Sequence, residues 1–469
     1  MADKSSRDAR YYPYAGRYGV NRRMPETGRS REEILRELRD IATEEDRFWQ
    51  TGRCSGTMYC GDMEHYGFLK EAFGMFGHVN ALQRDMCPSM TRFEGEIIAM
   101  TLDMLHADAA GPGDSPCGSV TSGGTESILS AILAYREEAH ARGIDRAEII
   151  LPETAHVAFE KGAHLFGLRV VKAPIDPVST QVDVGFVRSH VTPKTIALIG
   201  SASNYGYGTI DPIDELSKIA LEHGIGLHVD GCLGGFILPW GEALGYDIPV
   251  FDFRHPGVTT ISADTHKYGY GPKGSSVLAF RSRDLRKRLY FMQQEWSGGK
   301  YLSPGIAGSR SGGLLAATWA SMVSLGREGY LRYAKRIFET SYAMQDAVRK
   351  YSELRILGKP TFCFSFLSDA FDIYHVNDFM RERGWRFNGQ QHPNALHMCV
   401  TRPQTQGGVV EAFTTDLAAA VGYAKKPAQE KPITGAVYGG LPKGDAAIHA
   451  FVESAMAGML DSHQDVPAE

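Results

Sequence analysis

Apolar positions along this chain fall into two successive rhythms. Ile34, Leu35, Leu38 and Ile41 recur at helical spacing after Ser30-Arg-Glu-Glu33, a capping-box pattern that starts a helix. Thr91-Arg-Phe-Glu94 repeats that signature ahead of Ile97, Ile98, Met100 and Leu105, and predicts a second helix start there. From about residue 117 the texture changes. Short apolar runs, "CGSVTSGG", "AEIILP", "LRVVKAP", "TIALIGSAS", "GIGLHVDG", "VTTISAD" and "SSVLAF", alternate with helix-like stretches over 126–141, 155–166 and 212–223. Strand-length runs separated by helical segments predict a mostly parallel sheet covered by helices.

The alternation ends near residue 280. From 282 to 350 the pattern is helical, including 314–325 and 330–350. Strand-like pieces follow, "LRILG", "TFCFSFLS" and "NALHMCV", with a helix near 376–384, and they predict a smaller α+β domain. Residues after Gly422 carry little pattern, and the last dozen read as loose. The division is an N-terminal arm and helix (1–53), a large domain (54–325) and a small C-terminal domain (326–469), without internal repeats.

Composition narrows the function classes. A length of 469 residues implies at least two domains, and 43% apolar with 22% charged residues is ordinary for a soluble globular protein. The net charge of −5 gives no electrostatic footprint for nucleic acid. Seven cysteines, without a C-x-x-C pair or zinc spacing, read as reduced thiols in a cytoplasmic setting, with no metal. No run reaches the ~18 apolar residues of a membrane span; the nearest, 314–325, carries Thr318, Trp319, Ser321 and Ser324. The opening "MADKSSRDARYYPYAGRYG" lacks the apolar core of a signal peptide and reads either as a flexible arm or as one that packs on a partner subunit.

Four pieces carry candidate chemistry. In "VTSGGTESI" a strand, Gly123-Gly124 and a helix beginning near Thr125 offer unpaired N–H groups to an anion, unless the glycines only make a turn. Asp230 ends the strand-like run of "LHVDG", where a buried carboxylate wants a cation or several donors, or else caps the next turn. Lys267, preceded by His266, follows the apolar run "VTTIS" in "SADTHKYGYGPKG", and a lysine at a strand end can form a Schiff base. His156 opens the helix after "IILPETAH", as a satisfied histidine or as a ring that stacks on a ligand. In that order along a parallel sheet, a phosphate cradle, a buried acid and a strand-end lysine are the parts that pyridoxal 5'-phosphate requires.

The runs "SADTHKYGYGPKG", "SGGTESI", "HVDGCLGGF" and "IAGSRSGG", with "SGTMYCGD" and "NYGYGTID", resemble the sphingosine-1-phosphate lyases. These are fold type I, aspartate-aminotransferase-like pyridoxal-phosphate enzymes, allied to the group II decarboxylases. The resemblance implies an α/β fold with a mostly parallel seven-stranded sheet in a large domain, and an active site at a homodimer interface. It implies that Lys267 is the Schiff-base lysine, Asp230 the partner of the pyridine nitrogen, and His156 the stacked ring. Gly123, Gly124, Thr125, His266 and Ser309 would bind the cofactor; Tyr59, Asn80, Tyr205, Lys273 and Arg310 would line the substrate side. Tyr59 and Tyr205 have an alternative as ordinary core-edge tyrosines. The general base stays open between Tyr205, Lys267 and the substrate's own phosphate.

One position departs from the family. Where the resemblance leads to Asn-Pro-Leu-His, this chain reads "NALQRD", so Gln83 stands in place of a substrate-facing histidine. A neutral amide donates hydrogen bonds to a phosphate but brings no charge. The resemblance implies cleavage of the C2–C3 bond of a phosphorylated sphingoid base to a long-chain aldehyde and phosphoethanolamine. The alternatives are a decarboxylase of the same fold and a catalytically silent scaffold, against which the intact Lys267 and Asp230 argue.

Overall fold

The computed structural model of the chain describes residues 11–440 and 446–466; the first ten residues of the expected arm and the last three of the tail lie outside these. The Ser30 capping box forms: the Glu33 N–H donates to Ser30 Oγ (3.2 Å) and the Ser30 N–H to Glu33 Oε2 (3.1 Å), opening helix α1 (Arg31–Gln50). Helices α2 (Met63–Phe76) and α3 (Ser89–Met104) follow. The box expected at Thr91 does not form, and α3 starts two residues earlier. Glu94 is buried and its carboxylate accepts from the guanidiniums of Arg310 and Arg84 and from the Val120 N–H (3.3 Å), so it does not turn back to the start of its own helix.

The large sheet contains β1 (Cys117–Thr121), β2 (Glu148–Pro152), β3 (Arg169–Ala173), β4 (Thr195–Ser201), β5 (Gly226–Gly231), β6 (Thr260–Ala263) and β7 (Ser276–Phe280), in the order β1-β7-β6-β5-β4-β2-β3. Pairs β2–β3, β2–β4, β4–β5 and β5–β6 are parallel, whereas β7 is antiparallel to both β1 and β6. Strand β1 therefore runs with the parallel set, and only β7 opposes it. Central strands β2, β4, β6 and β7 are buried along their whole length, as expected of a sheet covered on both faces. The covering helices include α4 (Gly124–Ala141), α5 (Ala158–Phe166) and α7 (Ile213–His223), close to the sequence expectation, and α6 (Val184–His190), which the sequence reading did not name.

The stretch expected to be helical from 282 differs. It holds a short helix (Arg283–Lys287) and a hairpin of β8 (Phe291–Gln293) and β9 (Tyr301–Ser303) before α8 (Gly312–Arg349) begins. Gly298 and Gly299 lie in the hairpin loop, and Gly299 takes a φ of +104°, a conformation no helix interior provides. Helix α8 packs along α2 and α3. It is interrupted at Gly326 (φ 55°), where the sequence reading divides the domains. Beyond it β10 (Leu354–Ile356), β11 (Cys363–Ser368), β12 (Asn388–Gln390) and β13 (Ala395–Cys399) form an antiparallel sheet in the order β10-β11-β13-β12, packed with α9 (Ile373–Glu382) and α10 (Val409–Ala424). The end of the chain, read as loose, carries helix α11 (Ala446–Gln464). No described helix is long and apolar enough to cross a membrane.

The two sheets meet at the loop after β4. Gly208 has a φ of +70°, and a Cβ there would lie 2.0 Å from the Cys363 carbonyl oxygen of β11. Gly208→Ala therefore combines left-handed strain with overpacking against backbone and should destabilise by at least about 2 kcal/mol. Urea unfolding checks this, and an unchanged midpoint would show that the loop yields freely.

Candidate active site

In open α/β sheets the carboxyl ends of parallel strands leave backbone groups and side chains pointing into a common crevice. Here β5 carries Asp230 as its penultimate residue, β6 delivers Asp264 one residue past its end, and the turn after β6 carries His266 and Lys267. Gly123 and Gly124 lead from β1 into α4. The amino terminus of α4 has no side-chain cap, so its first N–H groups face outward beside the positive end of the helix dipole. A cavity of about 330 Å³ lies there, lined by Gly123, Gly124, Thr125, His156, His266 and Lys267, with Cys232 and Asp264 in its floor.

Each group is held in a definite state. His266 Nδ1 donates to the Ser275 carbonyl (2.6 Å), which leaves Nε2 for the cavity. His156 Nδ1 accepts the Ala158 N–H (3.2 Å) at the start of α5. Asp230 Oδ1 accepts from the Cys232 N–H (3.0 Å) and the Ser262 hydroxyl (3.2 Å). Lys267 Nζ lies 3.0 Å from Asp264 Oδ2, while Asp264 Oδ1 is buried without a hydrogen-bond partner among the described residues. Burial alone pushes the Lys267 ammonium down, but the Asp264 carboxylate, followed by Cys232 and Tyr59, outweighs it and holds the amine well above the usual lysine range. A Cβ on Gly124 would fall 2.8 Å from both Asp264 Oδ2 and Cys232 Sγ, so only glycine lets the helix start this close to the acid.

On its other side Lys267 borders a second cavity, of about 430 Å³. Its walls include Tyr59, Tyr66, Leu69, Phe73 and Lys273. The Lys273 ammonium sits over the Tyr59 ring, 4.8 Å from its centroid, and is lowered first by burial and then by Lys267. Burial pushes the Tyr59 hydroxyl strongly up, so it stays protonated as a donor. Ser309 and Arg310 line a third cavity, of about 230 Å³, that shares Ser122 and Glu126 with the first. Arg310 is engaged there by Glu94, at 2.7 and 3.0 Å, and by the Val120 carbonyl. Asn80 Nδ2 donates to Ser309 Oγ (3.0 Å).

Not all of the expected residues converge within one chain. Gln83 is exposed and lines none of these three cavities. Tyr205, on the loop after β4, is 46% exposed and packs against His397 of β13, with ring centroids 4.6 Å apart. Asp264, Cys232 and His228 are polar groups of the site region that the sequence reading does not single out. For Asp264 the signal was available, since it ends "VTTISAD" as Asp230 ends its own apolar run.

These residues fit pyridoxal phosphate: an uncapped helix start for a phosphate, an anchored carboxylate for a ring nitrogen, and a buried amine for an aldehyde. Fold and site define a pyridoxal-phosphate enzyme of fold type I. Residues 13–366 match the pyridoxal-dependent decarboxylase conserved domain. The chain is 44% identical to a sphingosine-1-phosphate lyase of Arabidopsis thaliana, over 85% of this chain and 74% of that one, and 40% identical to one of Rattus norvegicus, over 89% and 72%. It superposes on the solved structure of a sphingosine-1-phosphate lyase from Burkholderia pseudomallei with a TM-score of 0.91 and 60% identity, covering 97% of this chain and 100% of that chain. The chain belongs to the sphingosine-1-phosphate lyase family. A glutamate decarboxylase of Lactobacillus brevis, at 21% identity and a TM-score of 0.75 over 88% of this chain and 97% of its own, shares the fold alone.

The Asp264–Lys267 pair has a measurable consequence. Capture of an aldehyde needs the unprotonated amine, and Asp264 stabilises the protonated one. In Asp264→Asn the lysine pKa should fall by at least ~1 unit, the size of one close charge partner. At pH 8 the cofactor-free variant should then capture pyridoxal phosphate roughly 10-fold faster than the parent, read by stopped-flow absorbance. Equal rates across pH 7–9 would show that Asp264 does not hold the amine.

Proposed function

We infer that this chain is a pyridoxal-phosphate-dependent lyase that cleaves the C2–C3 bond of phosphorylated sphingoid bases, releasing a long-chain aldehyde and phosphoethanolamine. The observation that carries the reading is the place of Lys267, between a polar cradle for the cofactor and a second cavity with apolar walls and a cationic group. A long-chain phosphorylated amine needs both kinds of wall around one amine-reactive centre. The family's named activity agrees with that requirement.

The cofactor, when bound, supplies an aldehyde carbon and an electron-accepting ring. The chain supplies placement. The N–H groups at the start of α4, with His266, would hold the cofactor phosphate, and Asp230, anchored through Oδ1, would partner the ring nitrogen. Lys267 Nζ, held 3.0 Å from Asp264 Oδ2, would be the amine that carries the aldehyde. His156 would stack on the ring. Lys273 and the Tyr59 hydroxyl take the substrate's phosphate end, and Tyr66, Leu69 and Phe73 wall the first part of its hydrocarbon tail, excluding water from the breaking bond. A decarboxylase would instead need a carboxylate clamp, and Arg310, a residue that could provide one, is already committed to Glu94.

The working unit we propose is a homodimer. Ile34, Leu35 and Leu38 of α1, with Met63, Phe68 and Phe73 of α2, are exposed apolar side chains, and apolar surface left bare supports a partner of the same kind. All seven cysteines are free thiols, which supports a reducing, cytoplasmic compartment.

Mass spectrometry of products from a phosphorylated sphingoid base tests the reading. A long-chain aldehyde supports it; release of carbon dioxide from amino acids, without aldehyde, would replace it by the decarboxylase. Lys267→Ala should abolish turnover, and borohydride reduction of the parent should leave a pyridoxyl group on Lys267 and not on Lys273. Leu69→Trp should fill part of the second cavity. If it displaces two methylenes of the tail, the cost is about 1.6 kcal/mol, or roughly 15-fold in KM for long-chain substrates. Short-chain analogues should be little affected, and equal losses for both would remove the tail from this cavity.

A further inference from the structure

Behind Asp230 the sheet encloses a chain of polar side chains for which the active site as described has no use. His228 lies two residues before Asp230 on β5 and is fully buried. Its Nε2 is 3.2 Å from Ser262 Oγ, and Ser262 Oγ is 3.2 Å from Asp230 Oδ1. Its Nδ1 is 2.8 Å from Thr260 Oγ1, which is 2.6 Å from the Tyr135 hydroxyl of α4. That hydroxyl also lies 2.7 Å from Thr259 Oγ1 and borders a cavity of about 360 Å³ lined by Thr259 and Arg281, separate from the cofactor cradle.

The direction of every proton in this chain follows from its two ends. An ionised carboxylate only accepts, so Ser262 donates to Asp230. The Ser262 oxygen accepts the Cys232 thiol (3.2 Å) and has no second proton to give, so its contact with Nε2 is a hydrogen bond only with the His228 proton on Nε2. Nδ1 is therefore an acceptor, so Thr260 donates to it. At the far end the Leu227 carbonyl already takes the Thr259 N–H (2.9 Å) and the Thr259 oxygen accepts the Leu227 N–H (3.0 Å), so the Thr259 hydroxyl donates to Tyr135 (2.7 Å), which donates its own proton inward to Thr260. Each hydroxyl and the imidazole thus point one proton toward Asp230. Burial drives the His228 pKa down to about 4 against the pull of Asp230, which agrees with a neutral ring. The other titratable groups around this network, Tyr135 and Cys232, are both raised by burial and stay protonated.

We propose that His228 is a positioning residue for the reaction: its Nε2–H, relayed through Ser262, anchors Asp230 by Oδ1 and keeps Oδ2 ionised and aimed at the cofactor ring. Simple core packing does not require the arrangement. A phenyl ring of similar shape would fill the space, with Phe159 already packed edge-on at 5.4 Å, and would avoid burying three polar groups. The inference rests on the cofactor assignment and on Asp230 as its ring partner, and not on the identity of the substrate.

The decisive measurement uses the cofactor-free chain. Nitrogen-15 NMR of histidine-labelled protein, with the His228 signals assigned by their loss in His228→Gln, should show the Nε2–H tautomer and no titration between pH 5 and 9. A proton on Nδ1, or titration in that window, overturns the proposal. In the loaded enzyme, Ser262→Ala and His228→Phe should each lower kcat by roughly 10- to 100-fold, the loss of one hydrogen bond to a charged group, with KM little changed. The double variant should lose no more than the worse single one, because both act through one relay. Fully additive losses would mean that the two residues act separately and would also overturn it. If His228→Phe does not fold, Ser262→Ala and the tautomer decide the matter. A parent enzyme that releases no aldehyde defeats the substrate reading without touching the tautomer.

Discussion

Two carboxylates and an ammonium buried at one edge of a sheet are the constraint around which this molecule is arranged. Asp230 and Asp264 leave water almost completely, and the side chain of Lys267 is only 25% exposed. Unpaired, such groups are costly enough that a fold tolerates them only with partners in fixed places. Asp264 and Lys267 partner each other, and Asp230 is held by a backbone N–H and a serine hydroxyl. Asp264 lines the cradle, and its Oδ1 has no hydrogen-bond partner among the described residues. The site is thus a set of buried charges completed by a ligand.

The sheet topology makes that arrangement reachable. Because β4, β5 and β6 run parallel and adjacent, their carboxyl ends lie side by side, and residues far apart in sequence meet without long side chains. The start of α4 must then come within contact distance of the β6 terminus, and Gly124 permits it where any Cβ would strike Asp264 and Cys232. The antiparallel β7 closes the group on its other side: Ser275 and Ser276, at the start of that strand, receive His266 and the Thr121–Ser127 hydroxyl pair. Rigid strand ends, rather than loops, set the positions of Asp230 and Asp264, while His266 and Lys267 sit in a turn closed by backbone hydrogen bonds from Lys267 to Asp264 and from Gly271 to Thr265.

Polar burial extends beyond the crevice. The relay from Tyr135 through Thr260, His228 and Ser262 crosses strands β5 and β6 inside an otherwise apolar sheet, and the charges of Glu94 and Arg310 fix the approach of α3 to the turn before α8. On the outside the opposite holds, since α1 buries only Trp49 and leaves its apolar stripe bare.

The order of strands and helices in the large sheet, the cofactor class and the placement of Lys267, Asp230 and the glycine turn at strand ends were legible in the sequence. Each is a local signal: a strand-length apolar run, a polar residue at its end, a glycine pair before a helix. The helical reading of residues 282–311 failed because composition there does not reveal a hairpin whose turn depends on Gly299 at positive φ. The capping box at Thr91 failed because Glu94 has two guanidinium partners, one of them more than 200 residues away in the chain. Asp264 and His228 passed unnoticed for the same reason. An acid three residues before a lysine, or a histidine inside a strand, has no distinctive local pattern. The sequence by itself determined which backbone elements form and which residues end them. Only the tertiary structure decided which buried polar groups meet, because hydrogen bonds and ion pairs act over about 3 Å in space, and strand adjacency, not chain order, sets those distances.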